Sequence, residues 1–251
     1  MTPTFKQYNA ILLAIFFLAI VPISLFCQPT GSPYTRYGIG DLVYSPNTRA
    51  LGMGGAGIAL PSNSTIDLYN PAAWTRINLT RFTISGSYNG LTTSDAANSS
   101  NYGNINFNDA MLAIPFSTSN GIVFAFGLSR YSTVGYTLQE DVSQSGFNYT
   151  LVRHGEGGIS QAHIGLSMDL RSDLSIGAMF DYNFGTIQHN IEQQQTNSLY
   201  SNAAVERQVQ LQGPGFTFGT IYTGFSNLLH LESSILSIGA SVTTTSYLYA
   251  N

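Results

Sequence analysis

Apolar and polar residues alternate one by one over long stretches of this chain. Within 121–130, Ile122, Phe124, Phe126 and Leu128 fall on one face, and Val123, Ala125, Gly127 and Ser129 on the other. A strand sends successive side chains to opposite faces, whereas helical spacing would mix the two sets. Within 174–185 the separation is sharper: Leu174, Ile176, Ala178, Phe180, Tyr182 and Phe184 oppose Ser175, Gly177, Asp181, Asn183 and Gly185, with Met179 the single bulky apolar residue on the second face. Within 159–170, Ala162, Ile164, Leu166, Met168 and Leu170 oppose Gln161, His163, Gly165, Ser167 and Asp169. Related patterns predict strands over 82–91, 105–116, 209–225 and 231–249. The first face suits lipid, and the second suits a wet lumen.

The connections alternate too. Residues 117–120 and 171–173 read as tight turns, while 92–104, 131–158 and 191–208 are long, polar and rich in Asn, Ser and Gln. Short turns at one end and long loops at the other are the pattern of outer-membrane barrels. Counting gives about seven crossings, or about nine if a hairpin lies within 131–158, and membrane barrels of this type have even numbers. An odd count leaves strand edges in lipid, where unpaired backbone groups cost several kcal/mol each. The chain also ends Tyr249-Ala250-Asn251, without an aromatic residue closing the last strand. The expectation is an all-β fold: an antiparallel transmembrane β-barrel, present as the incomplete N-terminal part of a larger barrel.

Composition strengthens this picture. Charged residues make up 9% of the chain, against about a quarter in soluble domains. Gly (25), Phe (15) and Tyr (15) are abundant, yet beyond the N-terminus no apolar run is long enough to cross a membrane as a helix. A net charge of -4 argues against a nucleic-acid partner. Residues 1–27 read as a signal peptide, with Lys6, an apolar run over 10–20, Pro22 and an exit at Cys27-Gln28. Phe26 is too large for the position before a lipoprotein cysteine, and Cys27 is the only cysteine, so no disulfide survives cleavage. A secreted β-sandwich, the soluble alternative, would carry more charge or disulfides. Export and a barrel together predict the outer membrane of a Gram-negative cell.

Residues 28–80 lack the alternation seen in the strands over 81–251 and form a separate segment. Gly52-Met53-Gly54-Gly55-Ala56-Gly57 spells a dinucleotide-binding fingerprint, but that motif needs a strand before it, a helix after it and an acidic residue about twenty positions on. Here Pro46 and Asn47 precede it, Pro61 follows, and Ile77 occupies the distant position. No cofactor is expected. Gly52, Gly54, Gly55 and Gly57 instead suit a segment that packs closely and turns sharply. In Asn70-Pro71-Ala72, Pro71 stiffens a turn whose Asn70 side chain can hold backbone donors. His154, His163, His189 and His230 have no Cys partners and no i, i+4 pairing, so no metal site is expected. His163, Ser167 and Asp169 share a face, but neighbours on one strand face lie about 7 Å apart, too far for a nucleophile and its base. The chain is not expected to be an enzyme.

Three stretches within 31–82 resemble the start of the FadL-like outer-membrane transport family, particularly its Bacteroidetes versions. They are Ser32-Pro-Tyr-Thr-Arg-Tyr-Gly38, the glycine-rich 49–59, and Asp67-Leu-Tyr-Asn-Pro-Ala-Ala-Trp74. The resemblance implies that the glycines and Asn70, Pro71 and Ala72 belong to a hatch folded into the lumen of a barrel of about fourteen strands. It also implies a channel, in contact with outer-membrane lipid, for hydrophobic or amphipathic small molecules such as long-chain fatty acids. The alternative it implies is a secretion-associated barrel, of the type IX kind, or an attachment barrel that holds protein partners on its loops.

Overall fold

The structure, a computed structural model, describes residues 32–43, 48–94, 99–144, 147–195, 201–225, 236–244 and 248–250. The signal-peptide assignment over 1–27 lies outside these residues. One antiparallel sheet contains β1 (Asp41–Leu42), β2 (Arg81–Ser94), β3 (Ser99–Ser117), β4 (Ile122–Gln144), β5 (Phe147–Arg171), β6 (Leu174–Gln195), β7 (Ala203–Tyr222), β8 (Ile238–Thr243) and β9 (Tyr249–Ala250). Strands β2 to β8 pair in chain order, as a meander does when each tight turn returns the chain beside its predecessor. The sheet curls into a half-barrel. Among the described residues β2 pairs only with β3 and β8 only with β7, so the sheet is open.

The side chains follow the alternation. Phe126, Phe180, Tyr182 and Phe184 are at least 36% exposed on the convex face, while Ser175, Asp181 and Asn183 are at most 5% exposed on the concave face. This is the arrangement of an outer-membrane barrel, with apolar side chains toward lipid.

The described residues of three expected loops are almost all strand. The β4–β5 register runs unbroken in direction from Val123↔Ser167 to Gln144↔Phe147, so 131–158 extends one hairpin and adds no crossing. Likewise β2 and β3 run on to Ser94 and Ser99, and β6 and β7 to Gln195 and Ala203. The polar content of these stretches reflects water on the outward face, not loss of strand: Thr, Val, Tyr and Ile keep β-propensity there. Of the expected strand over 231–249, the described part is Ile238–Thr243 and the start of β9.

Candidate functional site

The concave face is a seat for the N-terminal segment. In β5 to β8 the wall carries Gly165, Gly177, Gly219 and Gly239, and each supports the segment where a side chain would collide. A Cβ on Gly177 would lie 2.5 Å from the Ala72 amide nitrogen, on Gly165 2.9 Å from the Trp74 ring, on Gly239 2.5 Å from the Ile58 carbonyl oxygen, and on Gly219 2.9 Å from Pro71 Cδ and closer still to Asn70 Oδ1. Gly177 and Gly219 face each other across the β6–β7 ladder, which makes a trough two strands wide.

The segment is built to fill it. The Asp67 carboxylate accepts from the Tyr69 amide at 2.7 Å, and Asn70 Oδ1 then caps the 3-10 helix Pro71–Arg76 by accepting from the Ala72 amide at 3.0 Å. Pro71 sits at the first helical position, where its missing N–H costs nothing. Asn70 Nδ2 donates to the Ile58 carbonyl at 2.6 Å and across to the Thr220 carbonyl at 3.2 Å, tying the turn to the wall. Further ties run from Ser237 Oγ to the Ala59 carbonyl (2.7 Å), from Ser241 Oγ to the Tyr69 carbonyl, and between Thr75 and Ser175 (3.2 Å).

Trp74 donates its indole N–H to the Asp67 carbonyl at 2.6 Å and is fully buried among Ile66, Ile77, Met111, Val123, Ala125 and Met179. The apolar core therefore lies between segment and wall. Met179 breaks the polar run of its strand because it faces this indole cluster. Burial raises the Asp67 carboxyl from its ordinary value to about 6, against the pull of the Tyr69 and Asn70 amides.

The sequence-predicted residues divide. Asn70, Pro71 and Ala72 sit in the trough and are buried. Gly52, Gly54 and Gly55 have nothing within 4 Å of a built Cβ, and Gly57 meets only Asp67 Oδ2 at 3.3 Å and Ala50 Cβ at 3.4 Å. Gly54 (φ 71°) and Gly55 (φ 85°) end the short helix Thr48–Gly52, with the Gly55 amide donating to the Ala50 carbonyl at 2.7 Å. Their left-handed backbone is the reason for glycine there. Close approach belongs instead to the wall glycines. In sequence these look like any small lumenal residue, and their one signal is that they fall on the polar faces of their strands.

A second concave feature is a chain of side-chain hydrogen bonds across the strands. Ser129 Oγ lies 2.7 Å from His163 Nε2, His163 Nδ1 lies 2.6 Å from Asp181 Oδ1, and Thr217 donates to Asp181 Oδ2 at 2.7 Å and meets Thr243 at 3.1 Å. On the other side, Ser85 donates to Asp109, whose Cα partner is Ser129. The partners of His163 thus come from neighbouring strands and not from Ser167 or Asp169, which engage the Gly121 carbonyl and Ser175. Ser, His and Asp in this order form the relay of serine hydrolases. Here Asp109 faces Ser129, and a carboxylate there opposes the charge of a tetrahedral intermediate. The described residues contain no group of three or more His, Cys, Asp or Glu side chains placed to hold a metal. His154 meets Thr137 and Glu156, His189 meets Tyr136, and His230 lies outside the described residues.

No curated protein and no solved structure matches the chain. A family model does: BamG matches residues 9–247, nearly the whole length. The match covers the glycine stretch and the Asn70-Pro71-Ala72 turn on which the FadL-like resemblance rested, and it overturns that resemblance. With it fall the expected transport of fatty acids or other hydrophobic compounds and the type IX or attachment alternative. Both came from short motifs that suit any segment turning inside a barrel, whereas the family match spans segment and strands together. The chain belongs to the BamG family.

Proposed function

We propose that the protein is a non-catalytic subunit of the BAM outer-membrane protein assembly complex, seated in the outer membrane and acting through a protein partner. The family match over 9–247 carries this reading. The geometry agrees with it. The concave face is filled by a segment whose anchors, Asn70 and Trp74, are fully buried, so its interior supports a scaffold better than a conduit. The Ser129–His163–Asp181 chain is best suited to clip β4, β5 and β6 together, because each member is at most 7% exposed.

Purification of tagged full-length protein from native outer membranes in mild detergent tests the proposal. The assembly complex should copurify, and depletion should lower the levels of other outer-membrane barrels. Absence from the complex, with barrel levels unchanged on depletion, would overturn it.

A further inference from the structure

The height of the membrane can be read from the wall itself. On β6 the convex face runs Leu174, Ile176, Ala178, Phe180, Tyr182 and Phe184, then turns polar at Thr186, Gln188 and Asn190. From Leu174 to Phe184, at about 3.4 Å per residue and a tilt near 40°, this band is about 26 Å tall along the barrel axis, the apolar height of an outer-membrane barrel. Its upper limit carries over to the neighbouring strands. Phe184 lies opposite Ser160, and Ser160 opposite Arg130, so on β4 the band ends just after Leu128 at a charged side chain. The guanidinium of Arg130 donates to Asn106 at 3.3 Å. The lower limit is set by the tight turns, which mark the periplasmic end of such barrels.

The N-terminal segment runs from the lower limit to beyond the upper one. At the lower end, Thr75 Oγ1 meets Oγ of Ser175, the second residue of β6, at 3.2 Å, and a Cβ on Gly121 beside the first tight turn would lie 2.8 Å from Thr75 Cβ. The chain then enters β2 at Arg81, opposite Ala113 near the same turn. At the other end, β1 pairs Asp41↔Thr133 and Leu42↔Ser132, and the Val43 amide donates to the Tyr131 carbonyl at 2.9 Å. All three partners lie past Arg130 on β4.

Strand direction decides where the preceding residues stand. Because β4 rises from the tight turn and β1 is antiparallel to it, the chain descends from Asp41 to Val43. The residues before Asp41 touch only levels above the band: Ile39 packs with Val134, Tyr136 and Ile187, and Thr35 Oγ1 bridges the Gly135 carbonyl and amide at 3.3 Å each. Gly40, with φ 83°, turns the chain from this contact into β1 where a Cβ would strike the Thr133 carbonyl. Tyr34 is 80% and Tyr37 71% exposed, so the wall does not close over this end.

We infer that the described parts of the segment, 32–43 and 48–77, are threaded through the lumen from the cell surface to the periplasmic turns, so that Tyr34, Arg36 and Tyr37 are displayed outside the cell. The segment is fastened at three heights: by β1 and Thr35 above the apolar band, by Asn70 and Trp74 within the wall, and by Thr75 beside the turns. The displayed residues give the protein a contact point on the side of the membrane remote from its tight turns. The inference rests on the outer-membrane seat proposed above and not on the assembly role.

Single substitutions in the full chain test the threading in intact cells: Tyr34→Cys and Tyr37→Cys on the segment, Gln139→Cys high on β4, and Ser119→Cys in a tight turn. The unsubstituted chain controls for Cys27, and Trp74 emission equal to its own shows that the segment is docked in each variant. The probe is a maleimide carried on a polymer too large for porin channels. Tyr34→Cys and Tyr37→Cys should label as fully as Gln139→Cys in intact cells, and Ser119→Cys only after the outer membrane is permeabilised. Both segment sites silent until permeabilisation while Gln139→Cys labels beforehand would overturn the threading. Labelling of Ser119→Cys in intact cells with the other three silent would overturn the outward display. Surface labelling of Tyr34→Cys and Tyr37→Cys in a protein that does not copurify with the assembly complex upholds the threading and overturns the proposed function.

Discussion

Gly219→Ala puts the seating of the N-terminal segment to its sharpest test, because the added methyl group lands on the side chain that organises the turn. Its Cβ would lie 2.9 Å from Pro71 Cδ and closer to Asn70 Oδ1. Asn70 cannot yield cheaply. Its oxygen caps the Ala72 amide and its nitrogen holds the carbonyls of Ile58 and Thr220. Losing the cap costs about 1 kcal/mol, and disturbing the two buried hydrogen bonds about 1 kcal/mol each. Overpacking adds about 1–3 kcal/mol if the turn stays in place. Since displacement and overpacking are alternatives, the expected loss of docking stability is about 3 kcal/mol. Gly177→Ala, whose Cβ meets the Ala72 backbone nitrogen at 2.5 Å, should cost as much.

The assay is built in: Trp74 is the only tryptophan in the chain and is fully buried. In detergent, both variants should shift its emission toward that of a solvated indole and lower the denaturant midpoint of that signal. Gly52→Ala has nothing within 4 Å of its Cβ and should change stability by less than about 0.5 kcal/mol. If Gly219→Ala and Gly52→Ala behave alike, the trough does not seat the segment.

Asp67 sets a pH dependence of the same signal. Its docked pKa of about 6 lies above the unfolded value near 3.9, so the docked state favours the proton. Docking should be strongest below about pH 4 and weaken as pH rises through 6, by up to about 3 kcal/mol. Asp67→Asn should remove the dependence, and docking that tightens with rising pH would refute it. For the hydrogen-bond chain, His163→Ala leaves Asp181 and Ser129 short of a buried partner and should lower thermal stability by about 2–4 kcal/mol, against about 1 kcal/mol for Ser129→Ala. A fluorophosphonate probe should leave Ser129 unlabelled; labelling would point to catalysis instead. A cysteine at Phe180 should resist a membrane-impermeant thiol reagent in intact membranes because it faces lipid, and ready labelling there would reverse the face assignment.

Strand identity, strand order and the two faces of the wall were legible in the sequence, because lipid imposes a period of two on every crossing and tight turns force neighbours to pair. Phe180 and Asp181 declare their sides by themselves. The limits of the strands were not legible: beyond the membrane, water removes the demand for apolar residues on the convex face, so 131–158 reads as loop although its ladder continues. The glycines show the same divide. Gly54 and Gly55 announce a turn locally, since a left-handed backbone is a property of the residue itself. Gly177 and Gly219 matter only because β6 and β7 bring them face to face beneath Asn70 and Pro71, from more than a hundred positions away in the chain. His163 likewise acquires Ser129 and Asp181 through the register of three strands. Local periodicity fixes which way a side chain points, but what it meets depends on pairing between distant segments, and that is decided only when the sheet curls around its own N-terminus.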